Sequence, residues 1–368
     1  MFTKTRSLLS ILLSLGVTSQ AFGVGASAFS TQFVGAKALG QGNAFVAEAD
    51  DPSAVYLNPA GITQLKRTQI SVGGTFLVSD TSRTGNNVPD DNMKSQLSAI
   101  PNFYATTPLP SWGEKKMAAG IGLTSPYGLT TEWAPTSSVR YVSTLSTFEM
   151  LNISPTFAMD VMSNLSLGAG IDYVNLINTT AQSQVPDQGG TAPDGTSKLS
   201  GHGSGWGYNV GALYKPTDKH SFGLTYRSQV KVPIKGSVDL TNISPTNQAL
   251  FNFASANYTA TAHSSVILPA SILGGYAFKP TDQWTLLLDY EWTQWNVMQN
   301  QDVAFDETDP NRLTLLTGGT GPNANVNRTV RNWHNVSAVG GGANYKINDV
   351  WQESMSYVQQ KRTRFFRE

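Results

Sequence analysis

From about residue 67 onward the chain alternates. In Trp284 to Trp292 the residues Trp284, Leu286, Leu288, Tyr290 and Trp292 fall at every second position, with Thr285, Leu287, Asp289 and Glu291 between them. A period of two puts each set on its own face of a β-strand. The same period runs through Ile70 to Val78, Leu165 to Tyr173, Trp206 to Tyr214 and Phe222 to Tyr226, and ten such segments centre near residues 74, 104, 121, 155, 170, 210, 225, 272, 288 and 338. Each is long enough to cross a hydrocarbon layer, which takes about 9–11 tilted residues. A soluble sandwich alternates too, so the connections decide. Short links at 111–116, 162–164, 216–219, 280–283 and 348–349 take turns with long ones near 80–99, 125–148, 178–203, 231–265 and 296–330. Short turns on one side and long loops on the other predict an all-β, antiparallel transmembrane barrel of the outer membrane. Lipid cannot satisfy a backbone, so such a sheet has to close. The links also repeat a phrase, Tyr214-Lys215-Pro216-Thr217-Asp218, Phe278-Lys279-Pro280-Thr281-Asp282 and Tyr345-Lys346-Ile347-Asn348-Asp349. It sets an aromatic residue at the strand end, where an interfacial girdle belongs, while Pro and Asp suit a tight bend.

The chain before residue 67 is built differently. Lys4 and Arg6 precede an apolar run from Leu8 to Val17 and the small-residue site Ala21-Phe22-Gly23, which reads as an export signal over residues 1–23 cleaved after Gly23, with Ala21 or Ala28 as alternative sites. The run is too short for a spanning helix, which needs about 20 residues. Residues 24–66 mix glycines, the acidic cluster Glu48, Asp50 and Asp51, and apolar Phe29, Phe33, Leu39, Phe45, Val55, Tyr56 and Leu57. So much apolar surface calls for burial, and the segment is predicted to fold as a hatch inside the lumen. Asn58-Pro59-Ala60 is its turn motif: the amide can bond turn backbone and Pro fixes φ.

Composition narrows the function. Lys and Arg number 25, Asp and Glu 25, and only 14% of residues are charged, against about 25% in a typical soluble domain. A neutral chain offers no footprint for nucleic acid. Without cysteine there is no disulfide, thiolate metal site or thiol nucleophile. His202, His220, His263 and His334 have neither zinc spacing nor a serine arrangement, and the glycine-rich stretch 201–211 leads into a strand, unlike a phosphate loop. Neither an enzyme, a metal nor a cofactor is expected.

Several phrases carry a family resemblance: Gly40-Gln41-Gly42-Asn43-Ala44, Tyr56-Leu57-Asn58-Pro59-Ala60-Gly61, Gly205-Trp206-Gly207-Tyr208-Asn209-Val210-Gly211, Leu224-Thr225-Tyr226-Arg227-Ser228, Leu268-Pro269-Ala270-Ser271, Trp292-Thr293-Gln294-Trp295 and Asn332-Trp333-His334. Between residues 24 and 351 the chain resembles the FadL/TodX family of outer-membrane transport proteins for long-chain fatty acids and aromatic hydrocarbons. The resemblance implies a barrel of fourteen strands, within the even-numbered series of such barrels, closed by an N-terminal hatch. It also implies passive uptake, with capture near the extracellular loops, passage to a hatch-side pocket and lateral exit into the membrane.

Long-chain fatty acids are the first expected ligand, monoaromatic hydrocarbons the second, and a general diffusion porin or an adhesin the rival functions. Expected ligand contacts are Phe29, Phe33, Phe45, Tyr56 and Leu57 in the hatch and Tyr127, Leu129 and Trp133, beside Pro126 and Pro135, in the loop after the third strand; packing alone would also account for them. A fatty acid needs a cation, and Arg227, on the polar face beside Tyr226, is the leading candidate ahead of Arg140, Lys231 and Arg331. The competing expectation pairs Arg227 with Asp172, Asp289 or Glu291. Partners beyond the ligand are outer-membrane lipid and the barrel-assembly machinery, with a monomeric state. After Trp351 the pattern is expected to fail: residues 352–368 read as an aberrant tail with no greasy face and with Lys361, Arg362, Arg364 and Arg367 near its end, leaving ten or eleven strands over 67–351 and suggesting a shifted or interrupted reading frame, with an eleven- or twelve-stranded barrel that still closes as the alternative.

Overall fold

The computed structural model of the chain describes residue 30 and residues 34–85, 88–318, 324–348 and 351–360. The export segment and the hatch residues Phe29 and Phe33 lie outside them. Among the described residues the strands are β1 (Gln69–Ser79), β2 (Ser82–Gly85), β3 (Val88–Asn92), β4 (Gln96–Trp112), β5 (Lys115–Thr124), β6 (Gly128–Glu132), β7 (Leu145–Met162), β8 (Leu165–Val185) and β9 (Gly195–Thr217). They continue with β10 (His220–Arg227), β11 (Val230–Thr241), β12 (Tyr258–Leu268), β13 (Ser271–Phe278), β14 (Trp284–Thr293), β15 (Asn300–Phe305), β16 (Val326–Val330), β17 (Val336–Lys346) and β18 (Gln352–Gln360).

The wall is an antiparallel meander in the order β1-β4-β5-β7-β8-β9-β10-β13-β14-β17-β18. Its first ten strands are the ten alternating segments of the sequence. The remaining strands build up the long connections: β11 pairs with β9 and β12, β15 with β12 and β16, and β2 with β3. Among the described residues β1 and β18 are the two ends of the ladder, and the hatch helix Ala36–Gly40 touches both.

Burial in the wall is inverted. Val72 is 77% exposed, Phe76 74% and Trp206 69%, while Asp172, Asn209 and Thr225 on the opposite faces are 2% exposed or less. A soluble protein would gain nothing from this; a wall facing hydrocarbon on the outside and a filled lumen on the inside gains on both faces. Aromatic residues gather at the short-turn end, where the Trp284 and Tyr345 rings lie 4.8 Å apart and those of Phe222 and Tyr276 5.0 Å apart. No described helix is long and apolar enough to cross a membrane.

The segment after Trp351 departs from expectation. Gln352–Gln360 continues the wall, in register from Lys346 opposite Gln352 to Ala338 opposite Gln360. The expected lack of a greasy face is corrected as well, because Met355 and Tyr357 are 69% and 72% exposed on one face. Glutamine and serine dilute the alternation in the text, but the partner strand supplies the backbone pairing regardless of side chain. The basic residues 361–368 lie outside the described residues.

Three wall strands are interrupted. The chain breaks between β5 and β6 at residues 125–127, between β10 and β11 at 228–229, and between β12 and β13 at 269–270. At the second break Tyr208 and Ser228 hold the edge together, the Ser228 N–H donating to Tyr208 O at 2.9 Å and the Tyr208 N–H to Ser228 Oγ at 2.9 Å. At the first, β4 pairs with β5 only from Asn102 onward and β6 pairs only with β7. The resulting gap between β4 and β6 ends where the Lys94 N–H donates to Glu132 O at 2.8 Å.

Candidate functional site

The hatch turns sharply after its first helix. Gly42 and Asn43 have φ of 65° and 60°, a left-handed region open to glycine and tolerated by asparagine, which accounts for Gly-Asn in the motif. Asn58 opens the second turn. Its Oδ1 accepts from the Ala60 N–H at 3.2 Å, while its Nδ2 donates to Val46 O at 2.8 Å and to Ala212 O of the wall at 3.1 Å. Pro59 then starts the 3-10 helix Pro59–Gln64, where a missing N–H costs nothing. The wall makes room with glycine: a Cβ at Gly211 would stand 2.3 Å from Asn58 Oδ1 and 2.7 Å from Pro59 Cδ.

Wall side chains grip hatch backbone. Asp289 Oδ2 accepts from the N–H groups of Phe45 and Val46, both at 2.9 Å, and Ser221 Oγ donates to Ala47 O at 2.6 Å. Arg227 Nη2 donates to Tyr56 O at 2.8 Å, and the Tyr104 hydroxyl donates to Val34 O. Inside the hatch Lys37 Nζ lies 3.1 Å from Glu48 Oε1 and 2.5 Å from Asp50 Oδ1, and Gln41 Nε2 donates to Glu48 Oε2 at 2.7 Å. Burial, reinforced by the Asp50 charge, pushes the Glu48 carboxyl above its ordinary value despite the pull of Lys37. Burial also works to lower the Lys37 ammonium, but the Glu48 and Asp50 carboxylates outweigh it and raise it.

A cavity of about 50 Å³ lies between hatch and wall, lined by Val34, Asn43, Tyr56, Leu57, Tyr127, Thr225, Arg227, Leu273, Asp289 and Glu291 among others. Four of the expected contacts, Tyr56, Leu57, Tyr127 and Arg227, meet there. Burial pushes the Tyr56 hydroxyl up to about 12, which keeps it neutral. Tyr127, expected in the loop after the third strand, stands at the start of that connection, at the break after β5, edge-on to Trp295 with ring centroids 6.4 Å apart. Trp133 is half-buried farther along, its N–H donating to Thr144 O at 2.8 Å. Leu129 is in β6, and its side chain lies outside the described residues. Phe45 is fully buried in the hatch core and does not line the cavity.

Arg227 is engaged. Nη1 forms an ion pair with Asp172 Oδ1, and the guanidinium sits 3.9 Å from the centroid of the Tyr56 ring. Asp172 is itself held by Ser154 Oγ at 2.5 Å, Asn209 Nδ2 at 3.0 Å and Asn152 Nδ2 at 3.1 Å. The expected free cation for a ligand carboxylate is therefore replaced by the competing expectation, a pair with a lumenal acid. Residues not foreseen at the cavity are Asn43, Thr225, Val34 and Leu273. On its loop side Trp295 and Trp333, 5.1 Å apart, join Met298, Val266 and Leu268 in an apolar cluster; both tryptophans belong to motif phrases read only as family marks. Among the described residues no group of His, Cys, Asp or Glu is placed to hold a metal ion.

A wall greasy outside, a lumen filled by a folded N-terminal segment and a small cavity between them define a hatched transmembrane β-barrel. The chain belongs to the family described as outer membrane protein transport protein (OMPP1/FadL/TodX), whose sequence pattern matches residues 14–353, and it is thus a transport protein of the Gram-negative outer membrane. Among its relatives, the long-chain fatty acid transport protein of Escherichia coli K12 is 26% identical over 335 residues, covering 80% of this chain and 72% of its own. A putative outer membrane protein of Neisseria meningitidis serogroup B is 25% identical over 380 residues, covering 93% and 78%. In fold the chain is similar to a Pseudomonas aeruginosa FadL homologue, with a TM-score of 0.73 at 16% identity over 91% of this chain and 82% of that one. It is also similar to the Ralstonia pickettii toluene transporter TbuX, with a TM-score of 0.62 at 19% identity over 85% and 82%.

Proposed function

We propose that the protein lets hydrophobic small molecules, of the class of long-chain fatty acids and monoaromatic hydrocarbons, cross the outer membrane by diffusion. The observation that carries this reading is Tyr127, which lines the hatch-side cavity and stands at the break where the wall between β4 and β6 is unpaired. An apolar solute collects on the loops around Trp133, moves along the Trp295 and Trp333 cluster to the cavity, and leaves sideways into the hydrocarbon. Nothing has to drive it, since each buried methylene favours the membrane by about 0.8 kcal/mol. Relatives named for fatty acid and toluene transport support both ligand types.

The test is uptake of labelled oleate and labelled toluene by cells with and without the gene. Faster uptake of either on expression supports the reading, and no change in both refutes it. A general diffusion porin is the rival, and ion flow separates the two. The intact protein is expected to be nearly silent in a planar bilayer, and deletion of residues 24–60 to open a conducting pore; unchanged conductance in the deletion would remove the hatch from its assigned role.

A further inference from the structure

The outward face of the wall changes character toward its long-connection end. Along β9 the outward positions run Val210, Tyr208, Trp206, Ser204 and His202, and along β11 they are Lys231, Pro233 and Lys235, all of them exposed. Val230, Val232 and Ile234, which alternate with the lysines, are buried in the apolar cluster around Trp295, so the lysines point away from the lumen. Register aligns them. Lys235 stands directly opposite His202 of β9 on one side and His263 of β12 on the other. Side chains so opposed have Cβ atoms about 4.5–5.5 Å apart, which puts three nitrogen-bearing side chains in one row across the sheet. Lys231, four residues back along β11, comes beside the turn of β9 into its greasy stretch: a Cβ at Gly205 would stand 2.5 Å from Lys231 O.

The acids of this face are already bonded. Asp306 Oδ2 lies 3.0 Å from His263 Nε2, Asp302 Oδ2 pairs with Arg328 Nη2 at 2.7 Å, and Asp239 Oδ1 accepts from Thr259 Oγ1 at 2.7 Å. Among the described residues no carboxylate reaches ion-pair distance of Lys231 or Lys235. Two free ammonium groups on one exposed face repel each other and call for an anion.

Their height in the membrane names the anion. Trp206, 69% exposed, packs on Tyr173 with ring centroids 4.7 Å apart, and exposed aromatic pairs of this kind mark an interface. The other girdle is at the short-turn end, so the Trp206 pair marks the opposite boundary, where the long connections of such barrels face away from the cell. Just past that boundary the wall meets the headgroups of the outer leaflet, which in a Gram-negative outer membrane belong to a phosphorylated glycolipid.

We propose that Lys231, Lys235 and His202 form a site for the phosphate groups of that glycolipid, lipopolysaccharide, with its acyl chains lying along Trp206, Tyr208 and Val210. The ammonium groups suit phosphate as point charges, and the imidazole N–H adds a donor. A phosphate held in this row fixes the depth of the barrel in the outer leaflet.

The test titrates the full-length protein in detergent with diphosphoryl lipid A and with lipid A stripped of both phosphates, and native mass spectrometry reads the bound lipid. Diphosphoryl lipid A is expected to bind at least about tenfold more tightly, as one charge-assisted bond would give. Inorganic phosphate at millimolar concentration is expected to leave it in place, because it lacks the acyl contacts. Lys231→Gln combined with Lys235→Gln is expected to erase the preference for the phosphorylated lipid, whereas Lys115→Gln combined with Lys116→Gln, at the short-turn end, keeps it. Equal binding of the two lipids, displacement by inorganic phosphate, or equal losses in the two double variants would each overturn the proposal and leave the uptake reading standing. If the first double variant fails to fold, seen as lost heat-modifiable mobility, Lys235→Gln alone decides: a several-fold smaller preference supports the site and an unchanged one overturns it.

Discussion

Gly211 seats the hatch by what it lacks. With Asn58 Oδ1 and Pro59 Cδ standing 2.3 Å and 2.7 Å from where a Cβ would be, Gly211→Ala is expected to cost about 1–3 kcal/mol through overpacking. The loss should fall on the hatch, since the wall ladder at 211 is unaffected. Limited proteolysis checks it: cleavage within residues 34–66 should appear while the heat-modifiable mobility of the barrel is kept. Arg227 has a different consequence. Arg227→Ala would leave Asp172 buried without its cation, a loss of about 3–5 kcal/mol, so urea unfolding in micelles is expected to shift and uptake of oleate and toluene to fall together. A selective loss of oleate uptake in a normally stable variant would return Arg227 to the role of ligand cation. The sequence placed Arg227 on the lumenal face correctly but could not choose its partner. Alternation assigns a face, and Asp172, Asp289 and Glu291 share it; only register, with Arg227 opposite Asn209 and Asp172 opposite Gly207 on the same strand, decides. Asn43 and Thr225 were less visible still, because a polar residue in a motif looks alike whether it is bonded or not.

Among elements, the hatch carries its own pH dependence. Burial raises the Glu48 carboxyl, so the folded hatch holds that proton more tightly than the unfolded chain. Its contribution is fully present below the ordinary carboxylate value and is lost as pH rises through the raised one. Lys37, raised by its two carboxylates, keeps its charge through that window. Hatch amides should therefore exchange more slowly as pH falls from about 7 to about 4, after correction for intrinsic exchange, and Glu48→Gln should flatten the trend. An equally steep trend in the variant would place the titration elsewhere. The strands themselves were legible because each has a lipid face that must be apolar, and ten were found that way. β18 was not, since Met355 and Tyr357 alone mark its face. The strands within the long connections were missed too, because they are held by pairing with β7, β9 or one another, β2 with β3 in a sheet of their own, and β11, β12 and β15 also by a separate apolar cluster around Leu240, Phe253 and Phe305, which imposes no single alternation.

In the molecule as a whole the wall is inverted, with Asp172, Asn209 and Thr225 facing inward and Val72, Phe76 and Trp206 outward, around a hatch that keeps an apolar core of its own at Phe45, Val55 and Ile62. That arrangement holds only in a membrane or a micelle, which is why the wall was readable from composition and link lengths before any residue was placed. The hatch adds a constraint of timing. The groups that grip it stand far downstream: Asp289, which accepts from the main-chain N–H groups of Phe45 and Val46, is 244 and 243 residues beyond them, and Asn344, whose Nδ2 donates to the Glu48 side chain at 3.4 Å, is 296 beyond it. Contacts so distant in sequence form late. The hatch, made before the strands that hold it, is then expected to settle after them. Refolding from urea into micelles should show this as two clocks, strand circular dichroism rising first and protection of the hatch from protease following. The synthesis order of the chain and the assembly order of the protein run in opposite directions.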